Sequence, residues 1–244
     1  MTSLILLGIL TGFVSGFFGV GGGMILVPML LYTGFVMKEA VAISVMQMVF
    51  SSIYGSYLNS KQNKSLLKDG VVIGIGGFCG GLLSGLIVTN VSNEFLEYLF
   101  FVILCFAVYR LLMVHPAGRS DRKAQNKLIL FIIGFFIGMI AMSIGVGGSV
   151  MLTPILSSYL HYPLKDASSL GLFFVVFSSI AGFSSLSLAG EMLYIEGAVV
   201  GISSLIGVYL GIKLKNITKI TSYKTIVLIL YICILISMIN RIFF

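Results

Sequence analysis

The segment Phe13–Leu31, FVSGFFGVGGGMILVPMLL, returns as Phe136–Leu156, FIGMIAMSIGVGGSVMLTPIL, and this recurrence is the strongest constraint on the fold. Gly19, Val20, Gly21, Gly22, Leu26, Pro28 and Leu30 align with Gly145, Val146, Gly147, Gly148, Leu152, Pro154 and Leu156 at an offset of 126. After one inserted residue the offset is 127, pairing Lys38-Glu39-Ala40 with Lys165-Asp166-Ala167 and Phe50-Ser51-Ser52-Ile53 with Phe177-Ser178-Ser179-Ile180. Gly55, Asp69, Gly70, Gly74 and Gly80 then meet Gly182, Glu196, Gly197, Gly201 and Gly207. Agreement sustained at one offset means that the chain is a duplicated unit.

The duplicated unit is apolar. Of 244 residues 58% are hydrophobic and 9% charged, and the mean hydropathy is +1.12. Such a chain lacks the polar surface to cover a soluble globule. Its apolar runs are helix-length blocks rather than alternating ten-residue segments, which predicts a helical membrane bundle and not an outer-membrane barrel. The net charge of +7 comes from Lys and Arg in short loops between those blocks, where they act as topology signals and not as a nucleic-acid patch. Cys79, Cys105 and Cys233 lie far apart inside apolar blocks and are expected to be core residues, without metal or disulfide spacing. The first apolar block has no basic n-region and its second half belongs to the repeat, so it reads as the first helix of the fold rather than a signal peptide.

The blocks fall at 3–20, 24–34, 39–58, 70–90 and 94–114, then at 128–144, 149–160, 166–188, 193–212 and 223–243. These bounds divide the chain into a first repeat 1–114, a polar linker 115–127 and a second repeat 128–244. A span of ~30 Å of hydrocarbon needs about 20 helical residues, so 24–34 and 149–160 are too short and read as half-helices. Each follows GVGGG or GVGGS and carries a proline, Pro28 or Pro154, near its first turn, where proline is tolerated.

The basic residues test the topology. If every broken stretch were an ordinary span, Lys and Arg would divide nine against six. If each glycine break turns the chain back, the division is thirteen against two, with only Lys38 and Arg241 on the minority side. The positive-inside rule prefers the second arrangement. It places an odd number of crossings in each repeat, which inverts one relative to the other. Equivalent loops carry opposite charge, Lys61, Lys64 and Lys68 against Glu191 and Glu196, as inversion requires. The expected fold is an all-α integral membrane protein of two inverted-topology repeats, each a Gly-broken helix pair plus three further transmembrane helices. Multi-pass insertion in the cytoplasmic membrane would leave both termini outside and the linker 115–127 in the cytoplasm.

In inverted-repeat transporters, broken helices leave backbone groups free at the repeat interface. The first N–H groups after each break, around Met24–Leu26 and Val150–Leu152, are expected to lack intrahelical acceptors, and the helix dipole makes that end positive. Two such ends facing one cavity would bind an anion without Lys or Arg. The plain alternative is that the glycines only let helices pack closely. Ser44, Gln47 and Ser51 lie three and four residues apart on one helix face, and Ser168, Ser169, Ser178 and Ser179 occupy the other half. Their hydroxyls and amide suit oxyanion oxygens, although a serine in an apolar helix commonly bonds its own backbone. The candidate substrate-binding set is Gly19, Gly21, Gly22, Gly23, Met24, Gln47 and Ser51 with Gly145, Gly147, Gly148, Ser149, Val150 and Ser178.

Lys38-Glu39 and Lys165-Asp166 open the third block of each repeat, where a first-turn carboxylate suits the dipole and the lysine can snorkel. The glycines from Gly70 to Gly85, echoed by Gly197, Gly201, Gly207 and Gly211, read as packing seams. No Lys follows either glycine cluster, so neither is a nucleotide loop. His115 and His161 lie beside polar loops, and the apolar blocks hold no carboxylate pair or Ser-His-Asp set, so no enzyme, cofactor or metal is expected.

At GFFGVGGGMILVPMLL and SIGVGGSVMLTPIL the chain resembles the sulfite exporter TauE/SafE family of membrane transporters. It keeps Gly19, Gly21, Gly22 and Pro28 in the first motif and Gly145, Gly147, Gly148 and Pro154 in the second, with Ser149 where Gly23 predicts glycine. The resemblance implies movement of sulfite, sulfonates or related sulfur compounds. Together these readings predict a secondary transporter, an exporter, of a small sulfur-containing anion held between the repeats. A passive anion channel and a non-transporting membrane subunit are the rivals. The expected partners are a small anionic solute and the lipid bilayer, no nucleic acid, with self-association into a homo-oligomer left open.

Overall fold

The computed structural model describes residues 1–19, 21–59, 67–113, 126–160, 162, 164–217 and 220–243. They form α1 Thr2–Phe18, α2 Gly23–Tyr32, α3 Met37–Asn59, α4 Leu67–Gly81, α5 Ser84–Asn90, α6 Asn93–Met113, α7 Lys127–Ser143, α8 Ser149–Ser158, α9 Leu164–Leu188, α10 Tyr194–Ile217 and α11 Ile220–Phe243. Helices satisfy their own backbone groups, which is what an apolar surrounding demands. The spans Met37–Leu58, Asp69–Asn90, Asp166–Leu188 and Tyr194–Lys215 are each long and apolar enough to cross a membrane. The protein is an all-α membrane protein. Helices α2 and α8 have 10 residues each, about 15 Å at 1.5 Å per residue, and cannot cross alone.

Each apolar block of the sequence became a helix, and two details differ. The block 70–90 is divided by a turn at Leu82-Leu83. The block ending at 212 continues as helix to Ile217, carrying Lys213 and Lys215 on the last turns of α10 instead of in a loop. Linker 115–127 lies outside the described residues except Asn126 and Lys127; Asn126 caps α7 by accepting a hydrogen bond from the Leu128 amide at 2.9 Å. His115 and His161 also lie outside them. All three cysteines are free. Cys79 and Cys105 are half-buried and Cys233 is exposed on α11, so Cys233 is not a core residue: in a bilayer an apolar side chain is equally at home facing lipid.

Glycine seams set the helix pairings. Along α1, Gly8, Gly12 and Gly16 face Val200, Ser204 and Val208 of α10 in rising order, so the two helices run the same way. Along α7, Gly134 and Gly138 face Ile73 and Gly77 of α4, also in rising order. These contacts are copies of each other: Gly8 and Gly12 correspond to Gly134 and Gly138, and Ile73 and Gly77 to Val200 and Ser204. Likewise Phe50 of α3 covers Gly201, and its equivalent Phe177 of α9 covers Gly74. By contrast α3 and α9 cross in opposite directions, with Met48 and Val175 both beside Gly21 and Gly55 against Leu172. Thus α1, α3 and α10 share one direction while α4, α7 and α9 share the other, and equivalent helices of the two halves are antiparallel.

The two isolated basic residues lie at one end of this bundle. Lys38 donates its amide to Asn93 Oδ1 at 3.0 Å and its ammonium to the Thr89 carbonyl at 3.4 Å. Arg241 donates to the Leu31 carbonyl at 2.8 Å and pairs with Glu97 at 3.6 Å. Glu39 accepts from the Val36 amide at 3.0 Å, the first-turn capping role its position suggests. At the start of α4, Asp69 Oδ2 accepts a hydrogen bond from Tyr162 Oη at 2.8 Å.

Candidate functional site

The two glycine breaks meet in the interior. Gly19, Gly21 and Gly22 take φ of 69°, 80° and 73°, and Gly145 and Gly147 take 67° and 71°, the left-handed region that costs other residues strain. A Cβ built on Gly21 would lie 3.6 Å from Gly147 Cα and 3.5 Å from both Met48 Sδ and Val175 Cγ1. A Cβ on Gly23 would run into the Gly145 carbonyl oxygen. Ser44 Oγ donates to that same carbonyl at 2.6 Å. Gly148 departs from its equivalent, with φ −57° against 73° at Gly22.

One expectation needs correction. The amides after the breaks are mostly bonded: Ile25 and Leu26 both donate to the Gly22 carbonyl at 3.2 and 3.1 Å. Val150 donates to Gly147 at 3.3 Å, and Met151 and Leu152 to Gly148 at 3.2 and 2.8 Å. The αL and turn geometry of the glycines folds their own carbonyls back over the helix start, tightening the first turn. Of Met24, Ile25 and Leu26 only the Met24 amide has no such bond among the described residues. What remains at each half-helix start is the dipole's partial charge, not a row of bare N–H groups.

The polar side chains divide into satisfied and unsatisfied groups. Ser51 donates weakly to the Met48 carbonyl at 3.5 Å. Ser178 donates to Phe174 at 3.1 Å, and Ser179 to Val176 at 3.3 Å, each within its own helix. Ser168 reaches across to the Phe18 carbonyl at 3.3 Å. Gln47 is fully buried, yet among the described residues neither Nε2 nor Oε1 has a partner. Both atoms lie 3.0 Å from the position a Cβ would take on Gly22, which places the amide on the N-cap of α2. Among the described residues the Ser15, Ser52 and Ser149 hydroxyls are also buried without partners. A buried polar group without a partner costs about 1–3 kcal/mol, so each of these side chains calls for an explanation.

Met24 and Val150 are buried beside their breaks. Ser149 fits because Gly171 stands opposite: a Cβ on Gly171 would come within 2.9 Å of Ser149 Cβ. The first half holds the reverse pair, Gly23 and Ser44, so the departure at Ser149 is one side of a size exchange. A residue absent from the candidate set also reaches the site. Lys215 Nζ lies 3.9 Å from the Cβ position of Gly19, at the C-terminal end of α1 where a cation complements the dipole. The sequence signal was obscured because the apolar block stops before Lys213 while the helix does not.

Four helices long and apolar enough to cross a membrane, with two short half-helices packed between them, describe an all-α multi-pass membrane protein. The chain belongs to the sulfite exporter TauE/SafE family, whose model matches residues 4–238. A probable membrane transporter protein of Methanocaldococcus jannaschii is 30% identical over 201 residues, covering 79% of this chain and 74% of the relative. A probable membrane transporter protein of Bacillus subtilis, YunE, is 23% identical over 93% of this chain and 92% of its own length. One of Haemophilus influenzae is 27% identical over 90% and 88%. No solved structure matches the chain. The family and these relatives are membrane transporters, not enzymes.

Proposed function

We propose that this transporter exports a small sulfur-containing anion, sulfite or a sulfonate, held where the two glycine breaks meet and exposed alternately to each side of the cytoplasmic membrane. The observation that carries this reading is the fully buried, unpartnered Gln47 amide on the N-cap of α2, beside the junction of Gly21 and Gly147. The half-helix dipoles supply partial positive charge there, and Lys215 adds a cation at the rim of the first break. The family description, sulfite exporter, supports the choice of solute.

In this reading the halves 1–114 and 128–244 are inverted repeats joined by a cytoplasmic linker, 115–127. Both termini face outward, in keeping with the antiparallel equivalent helices and with the thirteen-to-two division of Lys and Arg. Desolvating a divalent anion costs more than a monovalent one, so hydrogen sulfite or a monovalent sulfonate is the species carried.

Reconstitution into proteoliposomes tests the reading. Labelled sulfite should enter with saturation and should be accelerated by unlabelled sulfite on the opposite side. Flux without saturation or counterflow would make the protein a channel, and absence of anion flux would retire the proposal.

A further inference from the structure

The two breaks occupy equivalent places in the repeat but differ in lining, and at Gly22 and Gly148 also in backbone, with φ 73° against −57°. Around Gly22 stand the Gln47 amide, at 3.0 Å from the Cβ position, and the Thr11 carbonyl at 3.1 Å. Around its equivalent Gly148 stand Phe174, into whose ring a Cβ would run, and Ile137 Cγ2 at 2.7 Å. Phe174 is the repeat equivalent of Gln47, and Ile137 that of Thr11. The same exchange recurs at three neighbouring positions: Ser15 faces Ala141 in the alignment, Ser168 faces Val41 and Lys215 faces Val88, while Ser149 of the second half faces Gly23 in the reverse sense. The buried, unpartnered Gln47 amide and Ser15 hydroxyl belong to the first break; at their equivalents no hydrogen-bonding side chain exists.

We propose that the solute's polar groups are recognised chiefly at the first break, with Gln47 as the specificity-determining residue, and that at the second break Phe174 closes the equivalent place beside Gly148. This rests on the transport reading above and narrows it. A primary amide offers N–H donors and a carbonyl acceptor together. An anion without a proton of its own satisfies the donors and leaves Oε1 buried and unpaired. The fitting ligand class is therefore a monovalent oxyanion that also carries a donor: hydrogen sulfite, or a sulfonate bearing a hydroxyl group.

The test uses the full chain in proteoliposomes with labelled sulfite, at a pH where sulfite is protonated. Gln47→Leu should weaken apparent affinity by about tenfold or more, whereas Phe174→Leu, which keeps an apolar wall, should stay within about twofold. Methanesulfonate, which has no donor, should compete poorly in the wild type, and this discrimination should vanish in Gln47→Leu. Should Gln47→Leu fail to fold, Gln47→Glu serves: its uptake relative to the wild type at the same pH should recover as pH falls and the new carboxyl gains a proton, becoming a donor–acceptor pair again. Equal loss in Phe174→Leu and Gln47→Leu, or unchanged affinity in Gln47→Leu, overturns the inference while wild-type flux keeps the transport reading intact. Absence of wild-type anion flux overturns both.

Discussion

Gly23 and Gly145 touch: the space a side chain would need at Gly23 is taken by the Gly145 carbonyl oxygen, which Ser44 holds by a 2.6 Å hydrogen bond. The contact joins the start of one half-helix to the break preceding the other. Its tightness ranks the glycines. Gly21→Ala meets only ordinary contacts at 3.5–3.6 Å and pays the left-handed backbone strain of about 1–2 kcal/mol. Gly23→Ala has no left-handed strain but must separate the breaks. Flux per folded molecule should survive in Gly21→Ala, at reduced thermal stability, and be abolished in Gly23→Ala; the opposite order would contradict this packing.

The size exchange between Ser149–Gly171 and Gly23–Ser44 predicts a rescue. Gly171→Ser alone crowds Ser149, whose Cβ lies 2.9 Å away, and should cost about 1–3 kcal/mol by overpacking. Adding Ser149→Gly rebuilds the arrangement of the first half and should recover most of the loss. Melting temperatures of the two single variants and the double variant give the coupling, expected between about 0.5 and 3 kcal/mol; additivity would refute the exchange.

Topology is open to labelling. In a background lacking Cys79, Cys105 and Cys233, Glu191→Cys should react with a membrane-impermeant maleimide in intact cells. Ser120→Cys should react only after lysis. Reversed accessibility would invert the assignment of sides.

The preference for a monovalent species predicts a direction with pH. Sulfite uptake at fixed total concentration should rise as pH falls through the range where the sulfite dianion takes up a proton to become hydrogen sulfite, while uptake of a sulfonate that does not titrate there stays level. Parallel changes in both would trace the effect to the protein instead of the solute.

Much of this architecture was legible in residue order because duplication writes each constraint twice. The glycine breaks, half-helices and seams at Gly74 and Gly201 all lie where the repeat puts them, and a ten-residue apolar run bounded by glycine has few ways to sit in a bilayer. The site was legible only in outline. Gln47 shares a helix face with Ser44 and Ser51 in the sequence, but that Ser178 bonds its own helix while Gln47 does not depends on three-dimensional neighbours. The closing of the Ile25 and Leu26 amides onto Gly22 depends on glycine dihedrals, which no residue name encodes. Lys215 was hidden because hydropathy marks where an apolar face ends, not where a helix ends.

The central claim is that a small anion rests against Gln47 at the first glycine break. A cryo-electron microscopy structure of the full chain in nanodiscs, determined with saturating sulfite at a pH where it is protonated, examines that claim directly. The account predicts compact density within hydrogen-bonding distance of the Gln47 amide, beside Gly22 and away from Phe174. Density lodged instead against Gly148 and Phe174, or a first break still empty at saturation, would contradict it.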